Sequence, residues 1–283
     1  MPAGQLSDRY AVFGNPIGHS QSPKIHALFA TQCQQNLTYE AILAPLDGFN
    51  RAVVEFTADV NSRGANVTVP FKEEAFRLAA RRTTRAEAAG AVNTLSFSGG
   101  EIVGDNTDGA GLVRDIRQNL DVDIVGRRIL LLGAGGAARG CLLPLLLEQP
   151  AAFTVVNRTA EKAQQLASEF SVHANQTTLT GASFDQLKVS GASFDLVINA
   201  TSTGLSDTVL PVPTLVFAPG CLAYDMVYGR ETPFMTQARR AGARVADGLG
   251  MLVEQAAEAF YGWRGMRPNT APVLATLRAN STK

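Results

Sequence analysis

Residues 128–140, Arg128-Ile-Leu-Leu-Leu-Gly133-Ala-Gly135-Gly-Ala-Ala138-Arg-Gly140, decide the fold. Four consecutive apolar residues, Ile129 to Leu132, read as the end of a buried strand. A G-x-G-x-x-A turn follows at once and opens a helical run near Ala137–Glu148. Gly133 permits the tight turn, Gly135 lets a backbone approach a pyrophosphate, and the small Ala138 lets the helix pack closely on the strand. A diphosphate would rest on the free N–H groups at the positive end of that helix. A glycine turn alone serves packing equally well; its place between strand and helix is what points to a dinucleotide.

The next strand bears on which dinucleotide. NAD sites carry an acid about 20 residues beyond the glycines, where it accepts from the ribose 2′-OH. Here the strand Phe153–Val156 ends in Asn157-Arg158-Thr159, with Lys162 one turn into the following helix and no carboxylate at the strand end. Arg158 can fork onto a 2′-phosphate and Lys162 can add a point charge, so NADP is expected. On a surface turn the same two cations could simply be solvated.

Outward from this point the chain alternates short β-rich runs with helical patterns. Downstream, Ala160–Phe170 and Pro233–Ala241 read as helices, and Asp195–Asn199, Leu222–Val227 and Arg244–Ala246 as strands. Repeated βα units of this kind predict a parallel sheet with helices on both faces. Pro144 within CLLPLLL predicts a kinked or shortened helix, because a mid-helix proline removes a hydrogen bond at a cost of about 3 kcal/mol. Upstream, strands are expected at Tyr10–Phe13, Leu37–Leu43, Ala65–Val69, Ala91–Phe97 and Glu101–Val103, and helices at Pro23–Gln34 and Phe49–Asn61. Ser98-Gly99-Gly100 reads as a hairpin turn between two of those strands. The fold class is therefore α/β.

Composition excludes several functions. The 283 residues hold 25 Lys+Arg against 25 Asp+Glu, and the zero net charge lacks the counterion-releasing attraction of a nucleic-acid binder. With 46% apolar and 18% charged residues the chain is globular, and a prior of about 150 residues per domain suggests two domains. Cys33, Cys141 and Cys221 form no CxxC pair, so neither a disulfide framework nor a metal site is expected. No apolar run reaches about 18 residues, so no membrane span is expected. MPAGQLSDRYAVFG lacks the basic and apolar segments of a signal peptide, which leaves the cytoplasm as the expected compartment and a small molecule as the expected partner.

Hydride transfer to a carbon–oxygen bond needs a proton donor for the oxygen. No tyrosine is followed four residues later by lysine, and the three histidines are scattered, so neither a Tyr–Lys pair nor a catalytic zinc is expected. Three polar clusters lie outside the glycine-rich segment. Asn66-Val-Thr68-Val-Pro-Phe-Lys72 ends one strand and Gly104-Asp105-Asn106-Thr107-Asp108 follows another, so both could face one crevice beyond the strand ends. On spacing alone Lys72 also reads as a helix-surface lysine, and the Asp105–Asp108 loop as turn chemistry. In Gly18-His-Ser20-Gln-Ser22-Pro23, Ser22 is expected as N-cap and Pro23 at the first helical position. Two hydroxyls at a helix N-terminus would also receive a carboxylate.

Together the segments AVFGNPIGHSQSPKIH, GANVTVPFKEEAF, AGAVNTL, GDNTDGAGL, LLGAGGAARG, NRT, NATSTG, YDMVY and ADGLGMLVEQAAEAF resemble the shikimate dehydrogenase family, in order from residue 11 to about 260. The resemblance implies NADP-dependent interconversion of 3-dehydroshikimate and shikimate, a step towards chorismate and the aromatic amino acids. It implies Lys72 and Asp108 as the catalytic pair, and Ser20 and Ser22 as the carboxylate site. Thr68, Asn93, Tyr228 and Gln255 are implied as further substrate contacts, which Asn66 could join. Gly133, Ala134, Gly135, Gly136 and Ala137, with Asn157, Arg158, Thr159 and Lys162, correspond to the cofactor loops, and Met226 and Gly248 to the nicotinamide end. Lys162 stands where the family often has arginine. The implied organisation is a discontinuous substrate domain, 1–107 plus 248–283, and a Rossmann-like NADP domain, 108–247, in a monomer or a homodimer. A broad quinate/shikimate dehydrogenase using NAD, and a non-catalytic sensor on the same fold, are the alternatives.

Overall fold

The computed structural model describes residues 7–206 and 208–281. The chain divides into two compact units, Met1–Gly111 with Val253–Lys283, and Leu112–Leu252.

In the first unit, strands β1 (Asp8–Gly14), β2 (Leu37–Leu43), β3 (Ser62–Val67), β4 (Arg81–Arg82), β5 (Thr94–Ser98) and β6 (Glu101–Asp105) form one sheet in the order β2-β1-β3-β5-β6-β4. β1 runs parallel to β2 and β3, whereas β5 is antiparallel to both β3 and β6. The expected hairpin is there: Gly99 and Gly100 join β5 to β6 with φ of 59° and 80°, the left-handed pair that a two-residue turn requires. Helices α1 (Ser22–Gln32), α2 (Phe49–Thr57), α3 (Lys72–Leu78), α4 (Thr84–Ala89) and α5 (Asp108–Arg114) connect the strands or follow them. Phe13, Phe49, Phe56, Phe71 and Leu95 bury a core between sheet and helices, with Phe49 stacked on Phe71 at 4.9 Å and edge-on to Phe13 at 6.0 Å.

The second unit holds β7 (Arg128–Leu132), β8 (Ala152–Asn157), β9 (Thr178–Ser183), β10 (Phe194–Asn199), β11 (Phe217–Asp225) and β12 (Arg244–Asp247). They are ordered β12-β11-β10-β7-β8-β9 and every neighbouring pair is parallel. The order reverses between β7 and β10, the switch point at which a doubly wound sheet opens a crevice. Helices α6 (Gly136–Leu147), α7 (Ala160–Phe170), α8 (Phe184–Ser190) and α9 (Pro233–Arg240) alternate with these strands. Ile129 to Leu132 are fully buried, which is why this strand shows as an unbroken apolar run and not an alternating one.

Two local expectations are corrected. Helix α6 is not shortened at Pro144: it continues from Gly136 to Leu147, with Leu142, Leu143, Leu145 and Leu146 on either side of the proline buried against the core. Ser22 is not the N-cap of α1: the helix starts one residue earlier than expected, with Gln21 as N-cap, and the Ser22 N–H instead donates to Ser20 Oγ at 3.3 Å. The expected cuts at 107/108 and 247/248 also fall short of the observed ones. Helix α5 carries the chain from the first unit into the second, and α10 (Leu249–Arg264) carries it back, so each observed cut lies inside a continuous helix. The chain then ends in α11 (Ala271–Ser281). None of the described helices is long and apolar enough to cross a membrane.

Helix α10 is fastened to the first sheet by Trp263, whose Nε1 donates to the Leu95 carbonyl at 3.0 Å. Gly64 on β3 leaves room for that ring, since a Cβ there would lie 2.4 Å from Trp263 Nε1 and 2.7 Å from Leu95 O. Gly64→Ala should therefore destabilise the protein by about 1 to 3 kcal/mol, the usual cost of overpacking, in denaturant titrations.

Candidate active site

Two helix starts bring the first cluster together. Lys72 is the first residue of α3 and Asp108 the first of α5. Lys72 Nζ donates to Asp108 Oδ2 at 2.5 Å, and both side chains stay partly open to solvent. The other carboxylate oxygen, Oδ1, accepts from Asn93 Nδ2 at 2.8 Å. Asn93 cannot be turned end for end, because its Oδ1 already accepts the Thr107 N–H at 2.8 Å and the Thr94 hydroxyl at 2.9 Å. Gln255, projecting from α10, places Oε1 3.2 Å from Asn93 Nδ2 and 3.3 Å from Thr107 Oγ1. The structure thus joins Lys72, Asn93, Asp108 and Gln255 directly, although up to 183 positions separate them in sequence.

The other expected substrate residues of this unit lie at the carboxyl ends of β1 and β3. Asn66 is buried and bridges to the cluster: its Nδ2 donates to Asn93 O at 3.2 Å and to Thr94 Oγ1 at 3.0 Å. Thr68 follows β3, with its N–H on Phe13 O at 2.9 Å. A Cβ on Gly14 would come within 2.5 Å of Thr68 Cγ2, so the glycine is what lets β1 pass this side chain. Ser22 is buried and Ser20 partly so. Tyr228 belongs to the second unit, three residues beyond β11, and is exposed.

Behind the cluster, Arg85 forks onto Asp105 with Nε and Nη2 at 2.7 and 2.5 Å, and reaches Glu258 on α10 with Nη1 at 2.9 Å. Burial pushes the Asp105 carboxyl up, but Arg85, the Thr83 hydroxyl and the Asn106 N–H outweigh it and hold the group below its ordinary value.

In the second unit the glycine turn has the expected geometry. Gly133 takes φ +108°, and a Cβ there would meet Ala200 O and Thr201 Cγ2 at 3.2 Å, so the turn after β7 passes close to the turn after β10. Gly135 is the N-cap of α6. Gly135, Gly136 and Ala137 are exposed, and nothing lies within 4 Å of a Cβ built on either glycine. Ala134 is partly buried and Ala138 is fully buried against the strand. Asn157 closes β8 and donates to Thr159 O at 3.1 Å, while Arg158, Thr159 and Lys162 lie on the turn and first helical turn beside it. Met226 and Gly248 are adjacent: a Cβ on Gly248 would lie 2.1 Å from the Met226 carbonyl oxygen.

Among the described residues, two sets of buried polar side chains that the sequence did not single out stand near the strand ends and helix α1. Asn199 and Asp225, the last residues of β10 and β11, are fully buried and bonded to each other at 3.0 Å, and Thr232 Oγ1 donates to Asp225 at 2.6 Å. Their signal is the amide or acid that ends an apolar run in NATSTG and YDMVY. The second is His26, stacked on Tyr39 at 4.2 Å with 5° between the rings, whose pKa burial lowers to about 3.

Comparison with known proteins shows the family. Residues 12–95 match the shikimate dehydrogenase substrate binding domain, 115–208 the shikimate / quinate 5-dehydrogenase family, and 248–278 the shikimate 5'-dehydrogenase C-terminal domain. A shikimate dehydrogenase (NADP(+)) from Dechloromonas aromatica is 64% identical over 97% of this chain and 98% of its own. One from Methylobacillus flagellatus is 59% identical over 96% and 99%. Among solved structures, the shikimate 5-dehydrogenase of Thermus thermophilus in complex with NADP(H) and shikimate superposes with a TM-score of 0.83 at 32% identity, over 96% of this chain and 98% of that one.

His26 supplies a test of the buried layer beneath the cluster. A histidine whose folded pKa is depressed stabilises the fold above its unfolded pKa of about 6.5, and that stability is lost as pH falls, by at most about 1.4 kcal/mol per pH unit. Urea titrations between pH 7 and 5 should show stability declining on acidification, and His26→Phe should flatten this part of the profile. An unchanged slope in the variant would place the proton uptake elsewhere.

Proposed function

Because the chain belongs to the shikimate dehydrogenase family, we propose that it catalyses the reversible NADPH-dependent reduction of 3-dehydroshikimate to shikimate, on the route to chorismate and the aromatic amino acids. The observation that carries the reading is the Lys72–Asp108–Asn93 constellation, an ammonium held on one side of a carboxylate whose other side is fixed by an amide. The first unit is the substrate domain and the second the NADP domain, in a cytoplasmic enzyme.

The substrate is an anion with a ring carbonyl and hydroxyls. Ser20 and Ser22, at the positive end of α1, receive its carboxylate. Thr68, Asn66, Asn93 and Gln255 take its oxygens, and the acceptor Oε1 of Gln255 can receive a hydroxyl proton. Lys72 gives its proton to the carbonyl oxygen as that oxygen gains charge, which is the group's general-acid role. Asp108, at 2.5 Å, keeps the ammonium aimed at this position, and in the reverse direction the neutral amine takes the hydroxyl proton back.

The cofactor loops suit a dinucleotide phosphate. The backbone over Gly135 and Gly136 is open, as a close-lying diphosphate requires, and the first N–H groups of α6 have no acceptor within the helix. When bound, NADPH supplies the hydride. Arg158 and Lys162 receive the 2′-phosphate, with Asn157 and Thr159 shaping the turn that presents them, and Met226 and Gly248 stand at the nicotinamide end.

Lys72→Ala should lower kcat by on the order of 10² to 10⁴, the range typical of a lost general acid. An unchanged kcat would remove Lys72 from the role. Arg158→Ala should raise KM for NADP more than for NAD, because NAD offers no 2′-phosphate; equal effects on the two would count against that contact. Both follow from steady-state assays of NADPH oxidation with 3-dehydroshikimate.

A further inference from the structure

We propose that Tyr39 is a positioning residue for the Lys72–Asp108 pair, its hydroxyl heading a one-way hydrogen-bond chain through Asn66, Thr94 and Asn93 to Asp108. This rests on the reading of Lys72 and Asp108 as the acid–base pair.

The direction of every link is settled by a group that can act in only one way. Asn66 Nδ2 faces the Asn93 carbonyl at 3.2 Å, and a carbonyl only accepts, so the amide orientation is fixed. Asn66 Oδ1 therefore faces Tyr39, and the Tyr39 hydroxyl must donate to it, at 2.7 Å. The same Asn66 amide donates to Thr94 Oγ1 at 3.0 Å, which turns the Thr94 hydroxyl proton towards Asn93 Oδ1 at 2.9 Å. Asn93 Oδ1 also takes the Thr107 N–H, so Asn93 Nδ2 is left to donate to Asp108 Oδ1 at 2.8 Å. The chain ends where Asp108 Oδ2 holds Lys72.

Tyr39 is built to stay in this place. It lies on β2 and reaches across β1 to Asn66 on β3. Its ring stacks on His26 at 4.2 Å and stands 6.5 Å from Trp263. Burial raises the hydroxyl pKa, so the proton that the first link needs remains on the oxygen. For packing alone a phenylalanine would serve; the hydroxyl is what the chain uses.

The test compares the unmutated enzyme with Tyr39→Phe, Thr94→Val and the double variant. Each single change removes one hydroxyl and interrupts the same chain, so each should lower kcat for 3-dehydroshikimate reduction by about three- to tenfold, the weight of one buried hydrogen bond. KM for NADPH should not move, which a general loosening of the fold would not predict. The double variant should be no slower than the worse single one, since a chain already broken cannot be broken again. Wild-type kcat in Tyr39→Phe, or single effects that multiply in the double variant, would overturn the proposal. Crystal structures of the single variants decide the same question without turnover: reorientation of the Asn93 amide or of Asp108 supports the chain, and unchanged side chains refute it. An unmutated protein that fails to oxidise NADPH with 3-dehydroshikimate would instead refute the proposed reaction, and the crystal structures would still decide the chain.

Discussion

The first unit depends on the fork that Arg85 makes. Three of its guanidinium nitrogens tie the end of β6, at Asp105, to α10, at Glu258. Asp105 stands three residues before Asp108, and Glu258 stands one turn after Gln255, so a single planar cation sets the spacing between the loop that carries the carboxylate and the helix that carries the amide. Glu258 also pairs with Arg267, which fastens the far end of α10 as well. The group is part-buried, and removing one partner of such a set leaves a charge without compensation, a far larger loss than that of a surface pair. Lysine could not replace Arg85, because only a guanidinium presents two parallel donors to one carboxylate and a third to another.

Charge elsewhere is placed just as locally. The chain has no net charge, yet both proposed ligands are anions. Attraction must then come from single sites, and in the proposed reading it comes from cations beside helix starts: Lys72 for the substrate, Arg158 and Lys162 for the phosphate, with α1 and α6 behind them. Lys72 is the exception in being paired already. In the proposed reaction Asp108 would screen it from the substrate's own carboxylate, keeping the lysine for the reacting oxygen and leaving carboxylate recognition to uncharged hydroxyls.

Much of this is legible in sequence where the signal is local. The strand–turn–helix around Gly133 carries its own geometry, because a buried strand must be continuously apolar and only glycine adopts φ +108° so close to the Ala200 carbonyl. The hairpin at Gly99-Gly100 is legible for the same reason. The edge strand β9 is not: its side chains are half exposed, so Thr178–Ser183 lacks the apolar run that announces its neighbours. Ser22 misleads because a serine before a proline fits two adjacent positions of a helix start. Arg85, Tyr39 and Thr94 carry no sequence signal at all. Tyr39 and Thr94 meet Asn66 across 27 and 28 positions, through the pairing of β2, β1, β3 and β5, and Arg85 on α4 meets Asp105 of β6 and Glu258 of α10 across 20 and 173.

One constraint recurs at the strand ends of both units. Where a parallel strand leaves its ladder, its last peptide groups lose their partners and the chain must turn. Asparagine and aspartate meet both needs by bonding to backbone one or two residues on. Asp105 Oδ1 accepts from Asn106 N–H, Asn199 Oδ1 from Thr201 N–H and Asp225 Oδ1 from Val227 N–H, and Asn157 donates to the Thr159 carbonyl. Three of these turns lead into residues with a proposed role, Asp108, Met226 with Tyr228, and Arg158, and the fourth packs against Gly133. In an α/β sheet the ligands gather at this edge, so the loops that must be adaptable in sequence are also those that must be held in place. A side chain at the strand's last position does so through the loop's backbone, which leaves most of the loop's own side chains free for substrate and cofactor.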